Sequence, residues 1–279
     1  MFGVILSSIG AFFEELASSI GKKQVKRKEE SIYAMGFLNE LMAFSGFALI
    51  ILFSGKAAEL TLTVWPTALL RVALSLFQGY VTVNAIAKAD RSTFGFIRTG
   101  TIPLLLIMDM VAGNFISGYQ ILGMLCISAG LLFLYMNHGF SKHGVWYVIL
   151  STVNAALTIG LYKYNITHGN SVELEQLLTI AASLVFFYVM SRYHAQEHPF
   201  SLMKKPLLAL QSGAIGVASV VESFAYLFAP ASVILAATRS STVVLTVLTG
   251  GVYFHEKNVK AKIFSLIAFV AGIILLAVE

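Results

Sequence analysis

Cysteine is almost missing from this chain: of 279 residues one is Cys126, so no disulfide can form within it and dithiol chemistry is excluded. Set inside an apolar run, that thiol reads as a small packing residue. Charge is scarce as well. Asp, Glu, Lys and Arg make up 12% of the residues, about half of what a soluble domain carries, against 57% hydrophobic residues and a mean hydropathy of +0.81. No Walker sequence, glycine-rich nucleotide loop, nucleophile elbow or paired-aspartate pattern occurs, which leaves ATP-driven pumping without support. No stretch alternates apolar and polar residues over about ten positions, as the strands of a membrane barrel would.

What is present is a series of apolar blocks of about twenty residues, each long enough as a helix to cross a hydrocarbon core of about 30 Å. There are ten, at residues 2–20, 32–54, 64–86, 93–112, 118–136, 145–163, 175–191, 206–228, 231–252 and 261–278. Connections are short and hold no soluble domain. Backbone polar groups in lipid must be satisfied within their own segment, so the expected fold is all-α, a polytopic membrane protein with ten transmembrane helices. The first block has no positive residue before it and contains Glu14 and Glu15, so it is expected to be a retained helix and not a secretion signal.

Positive charge is distributed unevenly between the blocks. The odd-numbered connections hold Lys22, Lys23, Lys26, Arg27, Lys28, Lys88, Arg91, Lys142, Arg192, Lys204, Lys205, Lys257, Lys260 and Lys262, and the even-numbered ones only Lys56 and Lys163. The asymmetry predicts cytoplasmic odd connections and both termini outside. The formal net charge of +5 is then an orientation signal with some attraction to anionic lipid, and nucleic acid is not needed as a partner.

The chain also repeats. Shifted by about 141 residues, Arg98, Thr99 and Thr101 fall on Arg239, Ser240 and Thr242, and Lys22 falls on Lys163. Arg71, Ser75, Gln78 and Thr82 fall on Ser212, Gly216, Ser219 and Ser223, a polar or small stripe along one helix face in both cases. The expected units are residues 1–137 and 143–279. With five helices each, they must enter the membrane from opposite sides, which makes an inverted repeat. Transporters built this way hold substrate near the midplane, where the repeats meet.

The end of the second unit, FAPASVILAATRSSTVVLTVLTGGVYFHEKNVKAKIFSLIAFVAGIILL, resembles the close of an EamA-type domain of the drug/metabolite transporter superfamily. A helix ends in a short apolar run and a glutamate, YFHE at 253–256, and a final helix carries a spaced glycine, Gly272. The first unit has a weaker version, MDMVAGNFISGYQILGMLCISAGLLFL, with Phe115 in place of the glutamate. The resemblance covers the whole chain as two tandem units. It implies a ten-helix secondary transporter of the cytoplasmic (inner) membrane, exporting or exchanging small metabolites, with no cofactor and no enzymatic activity. Family members more often keep both termini inside, opposite to the charge count here.

Glu14, Glu15, Glu40, Arg71, Arg98, Asp109, Glu222 and Arg239 are charged residues that lie within the apolar blocks. Each costs a few kcal/mol if it faces lipid near the centre. Arg98 and Arg239 enter from opposite faces to a depth on the order of 10 Å. They are candidates to hold an anionic or zwitterionic metabolite, with Thr99, Thr101, Ser240 and Thr242 as hydroxyl donors; snorkelling or structural pairing with carboxylates is the alternative. Pro103 frees the carbonyl of Thr99 and predicts a kink beside Arg98. Glu222 and Gln78 are expected to line the same cavity. Glu14 or Glu15 resembles the membrane-embedded glutamate in the first helix of related small multidrug transporters, a candidate proton carrier with structural pairing as its alternative. Arg71 is expected to snorkel, Asp109 to meet water and Tyr80, Tyr162 and Tyr226 are candidates to face a substrate.

RYHAQEHPF at 192–200 places His194, Glu197 and His198 in the H-x-x-E-H order of an inverted zinc site. Its expected place in a loop, with no third ligand, argues against zinc. A transporter for a small metabolite, acting as a monomer or homodimer among membrane lipids, is the leading expectation. A multidrug or cation exporter using a buried Glu, a membrane-embedded enzyme on a lipid-linked substrate, and a channel or scramblase are the alternatives.

Overall fold

The structure is a computed structural model that describes residues 2–54, 64–111, 117–137, 142–228, 231–255 and 259–277. The described residues are helical with short connections and contain no strand. The first half supplies α1 (Phe2–Lys26), α2 (Ile32–Ser54), α3 (Trp65–Lys88), α4 (Arg91–Arg98), α5 (Thr101–Val111) and α6 (Gly118–Met136). The second supplies α7 (Val145–Thr167), α8 (Val172–Val189), a short α9 (Pro199–Leu202), α10 (Pro206–Ala225), α11 (Ala231–Leu248) and α12 (Val259–Ala277). All ten apolar blocks fall on helix. Among the described residues, seven helices are long and apolar enough to cross a membrane: α1, α2, α3, α7, α8, α10 and α11. The protein is an integral, multi-pass membrane protein.

Local sequence explains the boundaries. Pro66, Pro199 and Pro206 sit in the first turns of α3, α9 and α10, where a missing N–H breaks no helical bond. Ser171 caps α8, its Oγ accepting from Leu174 N at 3.4 Å. Gly144 precedes α7 at φ 74°, and a Cβ there would meet Ala89 N at 2.7 Å, so strain and space both require glycine. The block at 93–112 is broken between α4 and α5. Pro103 has no N–H for the carbonyl of Thr99, which accepts instead from Ile102 N at 3.0 Å in a tighter turn. The expected kink is therefore a break just after Arg98.

Packing runs between the halves. Helix α1 lies along α10 and α11, while α7, onto which the 141-residue shift moves it, lies along α3, α4 and α5. The pair α2 with α10 is matched by α8 with α3, and α2 meets α8. At the side of the bundle α6 pairs with α12, where a Cβ on Gly272 would lie 2.8 Å from Gly123 O. Close approach of this kind is the usual route to helix association in lipid. One buried apolar cluster joins Phe96, Ile102, Ile127, Leu235, Val243 and Phe269 across both halves.

One end of the bundle gathers Lys22, Lys23, Lys88, Arg91, Lys204 and Lys205. There Lys22 Nζ donates to Ala89 O, the C-cap of α3, at 2.5 Å, and Lys205 pairs with Glu29. At the other end Lys163 Nζ donates to Tyr226 O, the C-cap of α10, at 3.2 Å. The two lysines that the 141-residue shift superposes thus tie the C-termini of α3 and α10, one at each end. Free carbonyls at a helix C-terminus favour such a cation.

Candidate functional site

Polar stripes on neighbouring helices converge on a central cavity of about 340 Å³. Glu14 of α1, Glu40 of α2 and Arg98 of α4 reach it, with Arg71, Ser75, Gln78 and Thr82 from α3. The second half adds Thr158 and Tyr162 from α7, Gln176, Thr179 and Ser183 from α8, Ser219, Glu222, Ser223 and Tyr226 from α10, and Thr238 and Arg239 from α11. Ile159, Ile180 and Leu235 give it an apolar portion. Both halves therefore build the wall, and among the described residues none of α6 or α12 lines it.

Three guanidiniums line the cavity and they are not equivalent. Arg71, expected to snorkel, is instead buried: Nη1 pairs with Glu175 Oε1 at 3.1 Å and also donates to Glu175 O and Thr179 Oγ1. Its Nη2 donates to Gln176 Oε1 at 2.8 Å, and its guanidinium lies 4.6 Å from the centre of the Tyr162 ring. A carboxylate within reach makes pairing preferable to stretching toward the interface. Glu175 is held further by Asn165 Nδ2 at 2.7 Å and Asn170 Nδ2 at 2.6 Å. This network ties α3, α7 and α8 together at the end opposite the lysine-rich one.

Arg98 Nη1 pairs with Glu14 Oε1 at 2.7 Å. Arg239 is 3% exposed and has no carboxylate partner among the described residues: Nε donates to Thr101 Oγ1 at 3.3 Å, and Nη1 is buried without a hydrogen bond. Arg239 still interacts electrostatically with Arg98, Glu14 and Glu222. The two arginine strings thus meet, the second half donating to the first.

The remaining candidates separate. Gln78 lines the cavity with its amide committed, Nε2 donating to Thr82 Oγ1 and Ser151 Oγ, and Oε1 accepting from Asn154 Nδ2 at 2.9 Å. Glu222 lines it with Oε1 buried and unbonded. Thr99, Ser240 and Thr242, offered as donors, are outside the cavity wall and donate to their own helices, at Phe96 O, Ala236 O and Thr238 O. Thr101 does the same toward Arg98 O and acts by accepting from Arg239. In apolar surroundings the nearest acceptor for a helical hydroxyl is the carbonyl one turn back.

Glu14 and Glu15, adjacent in sequence, part company. Glu15 faces away from the cavity, where Arg91 Nη2 and Nε, Ser19 Oγ and Thr249 Oγ1 all donate to it. Tyr162 and Tyr226 line the cavity edge to face, 5.9 Å apart, and Tyr80 does not. The side chain of Asp109, with Phe115 and Glu256, lies outside the described residues.

Of the H-x-x-E-H string, Glu197 Oε2 accepts from Ser31 N at 3.1 Å and His194 packs edge-on against Tyr33, so the string joins the α8–α9 connection to the start of α2. Asn154, Glu175, Gln176 and Thr238 were not singled out by sequence. The spacing of Gln176, Thr179 and Ser183 marks one face of α8 and was a usable signal.

No family model and no curated protein matches this chain. Solved structures do match. One, described only as "Crystal structure of protein", superposes with a TM-score of 0.71 over 98% of this chain and 98% of its own, at 13% sequence identity. At that identity the likeness shows that the two share a fold.

Proposed function

We propose that this chain is a secondary active transporter of EamA type that moves a small polar metabolite, anionic or zwitterionic, across the cytoplasmic membrane by alternating access. Arg239 carries this reading. A guanidinium deep inside a membrane protein is retained at a cost of several kcal/mol, and two of the three in this cavity are matched by carboxylates. The third has no carboxylate partner among the described residues and borders a space of about 340 Å³, the lower end of the range for small-molecule sites. An anionic group of the substrate is the partner that it lacks.

The exchange of contacts between halves supports ten spans arranged as an inverted repeat: α1 against α10 answers α7 against α3. Five spans per half would turn the second half over. The Arg71–Glu175 network and the Lys163 tie bind helices together at one end of the bundle, and Lys22 with Arg91–Glu15 does so at the other. Opening one while the other holds is the step that alternating access requires. The lysine-rich end would face the cytoplasm. The charged groups are spread through the depth of the bundle in separate networks, unlike the cluster at one interface that a lipid-modifying enzyme would need.

The test is counterflow. Proteoliposomes loaded with unlabelled protein amino acids or, separately, with succinate and lactate are given traces of the same compounds in radiolabelled form. The proposal expects saturable accumulation with at least one compound, reduced roughly tenfold or more by Arg239→Ala, the loss of one charged hydrogen-bond partner. Accumulation that never saturates, or that is unchanged in Arg239→Ala, would overturn it.

A further inference from the structure

Resting on the transporter reading, we infer that the cavity is a zwitterion site: Arg239 takes a carboxylate and Glu222 takes an ammonium group on the same small molecule, as in an α-amino acid. Both side chains line one cavity, on adjacent sequence elements α10 and α11, and within electrostatic reach of each other. They nevertheless form no ion pair, although the structure pairs the other two cavity arginines. Each keeps an unmatched polar atom, Nη1 on Arg239 and Oε1 on Glu222. An acid and a guanidinium on one cavity wall, neither of them in an ion pair among the described residues, fit a ligand with two opposite charges of its own. A simple anion would satisfy Arg239 and leave Glu222 unmatched, and a simple cation would do the reverse.

The placement of Glu222 is built into the packing. A Cβ at Gly10 would lie 2.3 Å from Glu222 Cγ, so the carboxylate side chain occupies the room that glycine leaves on α1. Glu40 also lines the cavity, but Glu222 is the acid that interacts with Arg239, Arg98 and Glu14 together. Ile159, Ile180, Leu235 and Tyr226 offer an apolar wall for a side chain.

Binding is measured on the full chain in detergent by thermal shift and calorimetry, with the protein amino acids as a panel. The best binder is then compared with its deaminated and decarboxylated analogues; for leucine these are isocaproate and isoamylamine. The zwitterion is expected to bind about tenfold or more tightly than either analogue. Glu222→Gln should bring the zwitterion down to the level of the carboxylate analogue without affecting that analogue, and Arg239→Gln should bring it down to the level of the amine. Analogues that bind as well as the zwitterion, a Glu222→Gln that weakens both equally, or no binding by any amino acid would each overturn the inference. Because detergent binding needs no translocation, zwitterion binding without counterflow would sink the transporter reading and leave this site standing.

Discussion

Arg239 Nε lies 3.3 Å from Thr101 Oγ1, so an arginine of the second half is oriented by a hydroxyl of the first. The contact joins two strings that are equivalent under the 141-residue shift, at the break between α4 and α5. Replacing Thr101 by Val would leave a buried guanidinium N–H unbonded, at about 1–3 kcal/mol. Thr101→Val should lower the melting temperature in detergent and weaken ligand binding, and Thr101→Ser should restore both. Equal behaviour of the two variants would remove Thr101 from the role of positioning Arg239.

Arg71 of the cavity wall and Glu175 form a heavily supported ion pair, with Thr179, Gln176, Asn165 and Asn170 bonded to it. Glu175→Ala strands a buried guanidinium and should destabilise by about 3–5 kcal/mol, whereas replacing both residues by apolar ones of similar volume should recover most of the loss. Denaturation of the single and double variants in one detergent checks this. A double variant no more stable than Glu175→Ala would show that the surrounding amides, and not the charge pair, hold this end closed.

Gly36 of α2 faces the ring of Phe187 on α8. A Cβ there would sit 2.4 Å from Phe187 Cδ1, inside any tolerable contact. Gly36→Ala should destabilise by about 1–3 kcal/mol through overpacking, with partial rescue by Phe187→Leu. The pair is a direct probe of the α2–α8 contact between the two halves.

The apolar helical segments, the placement of Arg98, Arg239, Glu222 and Gln78 around one cavity, and the disturbance at Pro103 were legible in the sequence, because each depends on hydropathy, period or a missing N–H. The fate of neighbouring charges was not. Glu14 and Glu15 differ by one residue and hence by about 100° around α1, enough to send one to Arg98 in the cavity and the other to Arg91 outside it. The pairing of Arg71 is invisible in the sequence because its partner, Glu175, stands 104 residues away and only the fold brings it near. Hydroxyls beside the arginines looked like ligands for the same reason: composition does not tell which way a helical Thr points.

Glu30, in the connection between α1 and α2, is 2% exposed. Burial pushes its carboxyl from an ordinary 4.5 up to about 8, with Glu197 adding to the shift and Gln211 and Lys205 opposing it. Between those values the folded chain holds a proton that the unfolded chain has lost. Its contribution to stability is therefore complete below about pH 4.5 and is lost as pH rises toward about 8. Glu30→Gln should flatten that part of the stability curve and make the protein more stable than the parent above pH 8. Parallel curves for the two proteins would contradict the burial of a neutral carboxyl.

The most direct test of an alternately exposed chamber uses the scarcity of cysteine. In a Cys126→Ala background, Ser219→Cys places one thiol on the cavity wall. An impermeant methanethiosulfonate reagent is then applied to intact cells and to inverted vesicles. The account predicts modification from both sides, at rates that shift in opposite directions when a transported compound is added; modification from one side alone, whatever is added, would contradict it.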